Sequence, residues 1–267
     1  MSLIFVSIGL HDAKDITLRG LSHVQSADIV YLEQYTSILQ IPIAALEAEY
    51  GVTIKVATRQ MVEGDDNEIL THAKSKKVVF LVVGDVFSAT THSDLYLRAN
   101  QQQISVQVVH NASVLTAIGI TGLQLYKFGK TTSLVFFEPD WKPQTAYDVI
   151  LQNKTQGLHT LVLLDIKVAE PSKADLAKEH FVPQPPRYMN ITQALAQLHS
   201  IELERGEGVI SDDALVIGLA RLGSPNEFIK VGTVSELKHL DFGPPLHSII
   251  FPGALHFHEE ELLELYK

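Results

Sequence analysis

The residues best suited to chemistry in this sequence stand directly after short apolar runs. The run at residues 78–83 reads Val-Val-Phe-Leu-Val-Val, and Gly84-Asp85 and the polar stretch 88–92 follow it. An apolar run that is too short for a helix and ends at glycine is typical of a strand buried on both faces of a parallel sheet. Because open α/β sheets bind ligands beyond the carboxyl ends of their strands, Asp85 is a candidate ligand-binding residue. An alternative stays open, in which Asp85 and Thr91 only cap the next helix.

The same arrangement recurs at other predicted strand ends, in both halves of the chain. These segments contain small or polar residues and comprise residues 9–10, 111–113, 163–165, 220–223 and 246–248. A ligand in a cleft between two α/β domains needs backbone groups for its polar edges and small residues for close approach. The set therefore predicts a small-molecule site built from both halves of the chain.

Other binding and catalytic motifs are absent or incomplete. The chain has no cysteine, which excludes disulfides, zinc–thiolate sites and thiol catalysis. No Gly-x-Gly-x-x-Gly follows a predicted strand, and the stretch 129–131, Gly-Lys-Thr, lacks the earlier glycine of a phosphate-binding loop. The histidines and glutamates at 256–260 are expected to be solvated side chains near the terminus, so no metal site is predicted.

Three histidines and an aspartate at element ends are candidates for acid–base chemistry. His92, His110 and His247 each stand where a catalyst could lie, although a structural hydrogen-bonding role is the alternative for each. Asp165 and His92 are the candidates for a general base, again with a structural role as the alternative. No nucleophile–base pair is recognisable, so no catalytic residue is assigned.

The composition bounds the class of protein. The 267 residues suggest two domains of ordinary size, and 46% hydrophobic residues suffice for a folded core. A net charge of −10 argues against a nucleic-acid binder, because such proteins present a basic face to the phosphate backbone. No apolar run approaches the roughly 20 residues of a membrane span, and the first residues do not resemble a signal peptide. We therefore expect a soluble, cytoplasmic protein with no membrane and no direct nucleic-acid partner.

The predicted elements that position these residues alternate between strand and helix. In residues 1–110 the apolar runs predict strands at 3–8, 29–32, 53–57, 78–83 and 104–110. Helical patterns lie between them at 17–26, 42–51, 68–74 and 93–102. Such alternation is typical of a mostly parallel α/β domain.

Residues 111–267 are predicted to form a second α/β domain with a mixed sheet. Its predicted strands are at 131–137, 161–165, 214–222 and 248–251, and its predicted helices are at 145–155, 191–205 and 234–240. The small-residue segment 112–125 is expected to be helical and to bridge the two domains. The proline-rich residues 170–189 are expected to form an ordered surface loop.

Several of the strand-end residues lie within segments that resemble a known family. The matching segments extend over nearly the whole chain and comprise residues 12–20, 30–37, 82–85, 89–92, 109–113, 119–129, 141–143, 158–160, 164–168, 185–189 and 243–248. On these residues the chain resembles the diphthine synthases, within the tetrapyrrole-methylase-like (class III) S-adenosylmethionine-dependent methyltransferases. The segments at 141–143, 185–189 and 205–208 resemble eukaryotic rather than archaeal members.

The resemblance implies two α/β domains with the cofactor cleft between them, a homodimer, and S-adenosyl-L-methionine as the cofactor, released as S-adenosyl-L-homocysteine. It implies that the protein substrate is translation elongation factor 2, in diphthamide biosynthesis. A modified histidine there receives three methyl groups on an amino nitrogen and, in eukaryotic members, one more on a carboxylate, which gives diphthine methyl ester. The family's cofactor-contacting positions fall here on Leu10, Asp85, Ser88, Ser113, Val114, Leu164, Leu222 and His247. Methyl transfer from a sulfonium needs mainly positioning and desolvation, which fits the missing nucleophile–base pair.

Four residues depart from the family's pattern. Ser7 and His11 stand where the first loop usually has glycine, and Val86 and Ser88 replace the usual proline and glycine of Gly-Asp-Pro-Phe-Gly. Glycine permits close backbone approach, so these changes leave open a non-catalytic S-adenosylmethionine-binding module that has lost turnover. A tetrapyrrole methylase of the same fold is the second alternative.

Overall fold

The structure is a computed structural model, and it describes residues 1–64, 67–168 and 184–267. The chain divides into two compact units, Met1–Leu115 and Thr116–Lys267. The described strands form two five-stranded sheets, one in each unit, and a separate two-stranded pair. Within the described ranges, no helix is long and apolar enough to cross a lipid bilayer.

The sheet of the first unit is entirely parallel. Its strands are β1 Ser2–Ser7, β2 Ile29–Glu33, β3 Ile54–Ala57, β4 Lys77–Val82 and β5 Val106–Val109. They lie in the order β3-β2-β4-β1-β5, so β4 has a neighbour on each side and all five carboxyl ends share one edge. The predicted strands of this unit are confirmed, with small shifts at their ends.

The helices of the first unit follow the predicted pattern with one addition. They are α1 Leu18–Gln25, α2 Ile43–Tyr50, α3 Arg59–Glu63, α4 Glu68–Ala73 and α5 His92–Gln101. Thr17 begins α1 by accepting a hydrogen bond from the Gly20 N–H, and Gly51 ends α2 with a left-handed φ of 70°. Sequence analysis missed α3, whose five residues are too few to show a helical period.

Burial on both faces of the parallel sheet explains its apolar strands. Phe5 and Phe80 belong to the core cluster on one face, where their rings pack edge to face with centroids 5.8 Å apart. Val6 and Leu81, their neighbours along the strands, belong to the cluster on the other face. Side chains of the central strands β1 and β4 are thus buried on both faces, and polar residues follow in the loops beyond the ends of these strands.

The sheet of the second unit is mixed, as predicted. Its strands are β6 Thr132–Leu134, β7 Thr160–Leu164, β10 Leu215–Ala220, β11 Phe228–Thr233 and β12 His247–Phe251. They lie in the order β11-β10-β12-β7-β6, antiparallel except for the parallel pair of β6 and β7. A separate antiparallel pair consists of β8 Ile166–Lys167 and β9 Arg187–Tyr188. Sequence analysis missed β11, and it placed β9 within a loop.

Two predicted helices of the second unit are confirmed residue for residue, and one other expectation is wrong. The helices are α6 Val114–Ala117, which runs across the division between the units, α7 Thr145–Thr155, α8 Ile191–Arg205, α9 Val234–Leu237 and α10 Phe257–Leu263. The segment 112–125 is not one helix, because α6 gives way to short 3-10 turns and Gly122 adopts a left-handed φ of 83°. The helix α10 begins within the stretch 256–260 that was expected to be solvated. His256, His258 and Glu260 are exposed there, and Glu259 is buried. Residues 169–183, most of the expected proline-rich loop, lie outside the described residues.

Candidate functional site

Two glycines join the carboxyl ends of β1 and β4 in the first unit. The Gly84 N–H donates to the Gly9 carbonyl at 2.7 Å, and the Gly9 N–H donates to the Gly84 carbonyl at 3.3 Å. Both glycines have left-handed φ values, 79° for Gly9 and 76° for Gly84. A Cβ on Gly9 would lie 2.5 Å from the Cβ of Asp15. The two strand ends are therefore held together by residues whose left-handed φ favours glycine, and at Gly9 a side chain would also clash with Asp15.

Asp85 follows this pair directly and organises the loop after β4. Its Oδ1 accepts the Phe87 N–H at 3.1 Å and lies 3.5 Å from the Ser88 hydroxyl. The alternative of simple helix capping is wrong, because these contacts precede α5. The Thr91 side chain does not cap α5 either, and instead donates to Glu63 at 2.8 Å.

The other oxygen of Asp85 connects three strand ends. Oδ2 accepts from the Asn111 N–H at 3.1 Å and lies 2.9 Å from His110 Nδ1, both after β5, and it lies 3.4 Å from the Ser7 hydroxyl of β1. Burial alone would raise the pKa of Asp85, but the hydrogen bonds from Phe87, His110 and Asn111 outweigh burial and hold the pKa below its usual value. Asp85 is therefore a buried carboxylate, charged at neutral pH.

Ser7 and Val86, two of the residues that depart from the family pattern, are joined by a hydrogen bond. The fully buried Ser7 hydroxyl accepts the Val86 N–H at 3.0 Å. Proline at 86 would lack that N–H, and glycine at 7 would lack the hydroxyl that accepts it. The two substitutions compensate each other, so they do not indicate a damaged first loop.

A double-mutant cycle tests this compensation. Ser7→Ala is expected to lower the free energy of unfolding by about 1–3 kcal/mol, because it leaves the Val86 N–H buried without an acceptor. In a Val86→Pro background the same change should cost much less, which corresponds to a coupling of about 0.5–3 kcal/mol. Urea unfolding of the four proteins measures both values. Equal costs in the two backgrounds would show that the two departures are independent.

The other departures are also accommodated. Ser88 does not have a positive φ; the neighbouring Ala89 does, at 63°, so the serine needs no glycine-like conformation. The His11 N–H donates to Asp15 Oδ2 at 2.8 Å beside the Leu10 N–H at 3.1 Å. The loop after β1 is thus fixed by one carboxylate, as the loop after β4 is.

The first unit brings its predicted cofactor residues to one edge of the sheet. They follow the ends of the adjacent strands β4, β1 and β5, and they are Leu10, Asp85, Ser88, Ser113 and Val114. The Asn111 side chain fixes this edge by donating to the Ser7 carbonyl at 3.2 Å and the Asp15 carbonyl at 2.8 Å. The structure therefore places these five residues beyond the carboxyl ends of adjacent strands, and their contact with a cofactor stays a prediction.

The second unit likewise gathers its three candidates at one end of neighbouring strands. Leu164 ends β7, Leu222 follows β10, and His247 begins β12 opposite Ala220. His247 is buried, and its Nε2 donates to the Pro244 carbonyl at 3.0 Å. Burial also lowers the pKa of His247, so the ring is neutral and its Nδ1 is an acceptor.

The acceptor at His247 is the observation that best fits a bound cofactor. Within the described chain, Nδ1 is buried and makes no hydrogen bond. A buried acceptor without a donor is unfavourable, and a ligand carrying an N–H or O–H would satisfy it. S-adenosyl-L-methionine carries such donors on its adenine, ribose and amino groups, so the residues present fit it.

The two candidates for a general base, His92 and Asp165, differ in burial. His92 is fully buried, donates from Nδ1 to the Val86 carbonyl at 3.2 Å, and has Nε2 3.8 Å from Glu33. A ring with no exposed surface cannot contact a substrate, so this nomination is wrong. Asp165 is partly buried, and its Oδ2 accepts the Phe136 N–H at 2.9 Å.

Sequence analysis also mistook one buried cluster. Glu259 was expected to be solvated, yet its side chain is 1% exposed and its Oε1 lies 3.1 Å from His159 Nε2. Lys127 completes the cluster, with Nζ 2.9 Å from Oε2.

Within residues 1–64, 67–168 and 184–267, no three His, Asp or Glu side chains are grouped to hold a metal.

Comparison with known proteins gives the class of this fold and site. Residues 2–238 match the family model of the tetrapyrrole (corrin/porphyrin) methylases, and the chain belongs to this family. It is therefore an S-adenosylmethionine-dependent methyltransferase, as the resemblance implied.

Individual relatives are more specific. The chain is 50% identical to the diphthine methyl ester synthase of Aspergillus fumigatus, over 94% of this chain and 88% of that one. It is 48% identical to the diphthine methyl ester synthase of Schizosaccharomyces pombe, over 98% of this chain and 93% of that one. A solved structure of an Entamoeba histolytica protein, 43% identical, superposes with a TM-score of 0.88 over 100% of this chain and 98% of its own. The resemblance to diphthine synthases is confirmed.

Proposed function

We propose that this methyltransferase acts in diphthamide biosynthesis, where it converts the modified histidine of translation elongation factor 2 to diphthine methyl ester. The observation that carries the proposal is the identity of about half the residues, over nearly the full length, to enzymes named diphthine methyl ester synthase. The compensated loop around Ser7 and Val86 favours a working enzyme over a binding module that has lost turnover. By the family resemblance, the protein is also proposed to be a cytoplasmic homodimer.

The cofactor is proposed to be held by strand-end residues of both units. The first unit contributes Leu10, Asp85, Ser88, Ser113 and Val114, and the second contributes Leu164, Leu222 and His247. Support comes from the glycine pair, which lets backbone approach a ligand closely, and from the buried acceptor on His247. Bound S-adenosyl-L-methionine supplies a methyl group already activated by the sulfonium charge. The protein groups then position the acceptor atom and exclude water.

Mass spectrometry of the product tests the proposed reaction. Elongation factor 2 carrying the unmethylated precursor is incubated with the enzyme and S-adenosyl-L-methionine, and the modified peptide is analysed at short times without base treatment. We expect four added methyl groups, one of which is lost on mild base hydrolysis because it is an ester.

Each other product has a definite meaning. Accumulation of the trimethylated acid would contradict the ester assignment and leave the methyltransferase standing. Binding of S-adenosyl-L-homocysteine without any methylation of the factor would favour the binding module. Methylation of a tetrapyrrole in place of the factor would show that the protein is a tetrapyrrole methylase of the same fold.

A further inference from the structure

His110 and Asp85 form a pair whose two members differ sharply in exposure. His110 Nδ1 lies 2.9 Å from Asp85 Oδ2, and the side chains are 67% and 10% exposed, respectively. Because a carboxylate only accepts, the ring donates from Nδ1. In the neutral ring, Nε2 then carries the lone pair. An accessible imidazole nitrogen backed by a buried carboxylate is the arrangement of a general base and its orienting group.

The surroundings of His110 leave this nitrogen available. The charged group in contact with the ring, within the described part of the chain, is Asp85, and the Phe87 ring lies beside it at a centroid distance of 6.3 Å. The described contacts of Nε2 include no hydrogen bond. The other histidines of this edge differ, since His92 is fully buried and the Nδ1 of His11 is enclosed. His110 also lies three residues before Ser113, the first of the proposed cofactor residues at 113 and 114.

We propose that His110, oriented by Asp85, is the general base that deprotonates the substrate amine before each N-methyl transfer. The inference rests on the proposed function, which places three methyl groups on an amino nitrogen. An ammonium group has no lone pair, so one proton must pass to Nε2 before the nitrogen attacks the methyl carbon. The C–N bond then forms as the C–S bond breaks, and the electron pair leaves with S-adenosyl-L-homocysteine. Between transfers the exposed imidazolium releases its proton to water and fresh S-adenosyl-L-methionine replaces S-adenosyl-L-homocysteine. The new ammonium then loses its own proton to Nε2 before the next transfer.

The fourth transfer has a different requirement. A carboxylate is already deprotonated at neutral pH, so its oxygen attacks the methyl carbon and yields a neutral ester with no proton to remove. His110 is therefore needed for methylation of nitrogen and dispensable for methylation of oxygen. A purely structural role in supporting the loop after β4 would affect both reactions alike.

Two variants and two substrates separate these roles. His110→Asn keeps an N–H that can donate to Asp85 but removes the basic nitrogen, whereas His110→Ala removes both. Single-turnover rates are measured with the factor carrying the free amine and with the factor carrying the trimethylated acid. We expect both variants to slow N-methylation about 10²- to 10⁴-fold at pH 7, the usual contribution of a general base. Ester formation by His110→Asn should stay within about threefold of wild type, and added imidazole should partly restore N-methylation by His110→Ala.

Two readouts do not depend on turnover. Nitrogen-15 NMR of the free enzyme is expected to show the proton of the neutral His110 ring on Nδ1. Calorimetry is expected to show S-adenosyl-L-homocysteine affinity within about threefold of wild type for His110→Asn, since the contact to Asp85 is kept.

Several results would overturn the proposal. These are the opposite ring tautomer, equal slowing of both reactions, or full N-methylation by His110→Asn. A wild-type enzyme that methylates neither form of the factor would instead refute the proposed function itself.

Discussion

Replacing Asp85 with alanine is expected to weaken S-adenosyl-L-homocysteine binding by roughly 1.5–3 kcal/mol, or about 10- to 150-fold, the value of hydrogen bonds to a charged group. Both oxygens of the carboxylate are engaged by the protein, with Phe87 on one side and Asn111 on the other. The loss therefore acts through the position of two strand-end loops. Isothermal calorimetry measures the affinity, and urea unfolding should show a matching loss of stability because buried N–H groups lose their acceptor.

A matched carboxylate provides the control for this variant. Asp94 lies on α5 of the same unit and pairs with Arg98 at 2.8 Å, but its side chain is 59% exposed. Asp94→Ala should change binding and stability by less than about 0.5 kcal/mol, as exposed ion pairs contribute little. Asp85→Asn should be intermediate, since an amide keeps one of the two acceptor oxygens. An unchanged dissociation constant for Asp85→Ala would remove Asp85 from the cofactor site.

The position of Asp85 could be predicted from sequence because local signals determine it. A buried parallel strand must be apolar on both faces, and the glycine at 84 marks where it ends. The same signals located β1, β2 and the helix α1 between them. They failed for β11, Phe228–Thr233, whose Lys230 and Gly232 interrupt the apolar pattern.

The contacts of Asp85 could not be predicted, because they join residues far apart in the chain. Ser7 is 78 positions from Asp85, and Asn111 reaches back 104 positions to the Ser7 carbonyl. Nothing within a short window of sequence reports such pairings. For the same reason, the family pattern shows Ser7 and Val86 as two separate departures and does not reveal that they compensate each other.

For Glu259 the local sequence pattern is misleading, because it suggests solvent exposure. Glu259 lies among histidines and glutamates near the chain end, which is typical of a solvated surface. Its neighbours in the second unit decide otherwise. Oε1 accepts the Gln124 N–H at 3.0 Å and faces His159 Nε2, while Oε2 accepts the His256 N–H at 2.7 Å and a bond from Lys127. The carboxylate thereby ties α10 to a segment more than a hundred positions earlier.

The hydrogen bonds of the His159 ring determine which of its nitrogens carries the proton. The Gly253 N–H donates a hydrogen bond to His159 Nδ1 at 3.0 Å, so Nδ1 is the acceptor. Nε2 therefore carries the ring proton and donates a hydrogen bond to Glu259. Burial lowers the pKa of His159, which keeps the ring neutral. The charge balance of the cluster is therefore between Glu259 and Lys127.

Replacing Glu259 with glutamine is expected to lower the free energy of unfolding by about 3 kcal/mol at pH 6. Burial would raise the pKa of Glu259, but the bonds from Gln124, His256, Lys127 and His159 outweigh burial and lower the pKa to about 2. The change from its ordinary value of 4.5 to about 2 corresponds to about 3 kcal/mol, at about 1.4 kcal/mol per pKa unit.

The sign of this shift fixes how the effect depends on pH. A carboxylate whose folded pKa is lowered stabilises the fold fully above its unfolded pKa of about 4.3, and it loses that contribution as the pH falls through the folded value. The difference between wild type and Glu259→Gln should therefore be constant from pH 6 to about 5 and shrink steadily toward pH 2. Urea unfolding at several pH values measures it. Glu261→Gln, with a side chain 72% exposed on the same helix, is the control and should stay within about 0.5 kcal/mol of wild type. A difference that did not narrow in acid would mean that the charge of Glu259 does not stabilise the second unit.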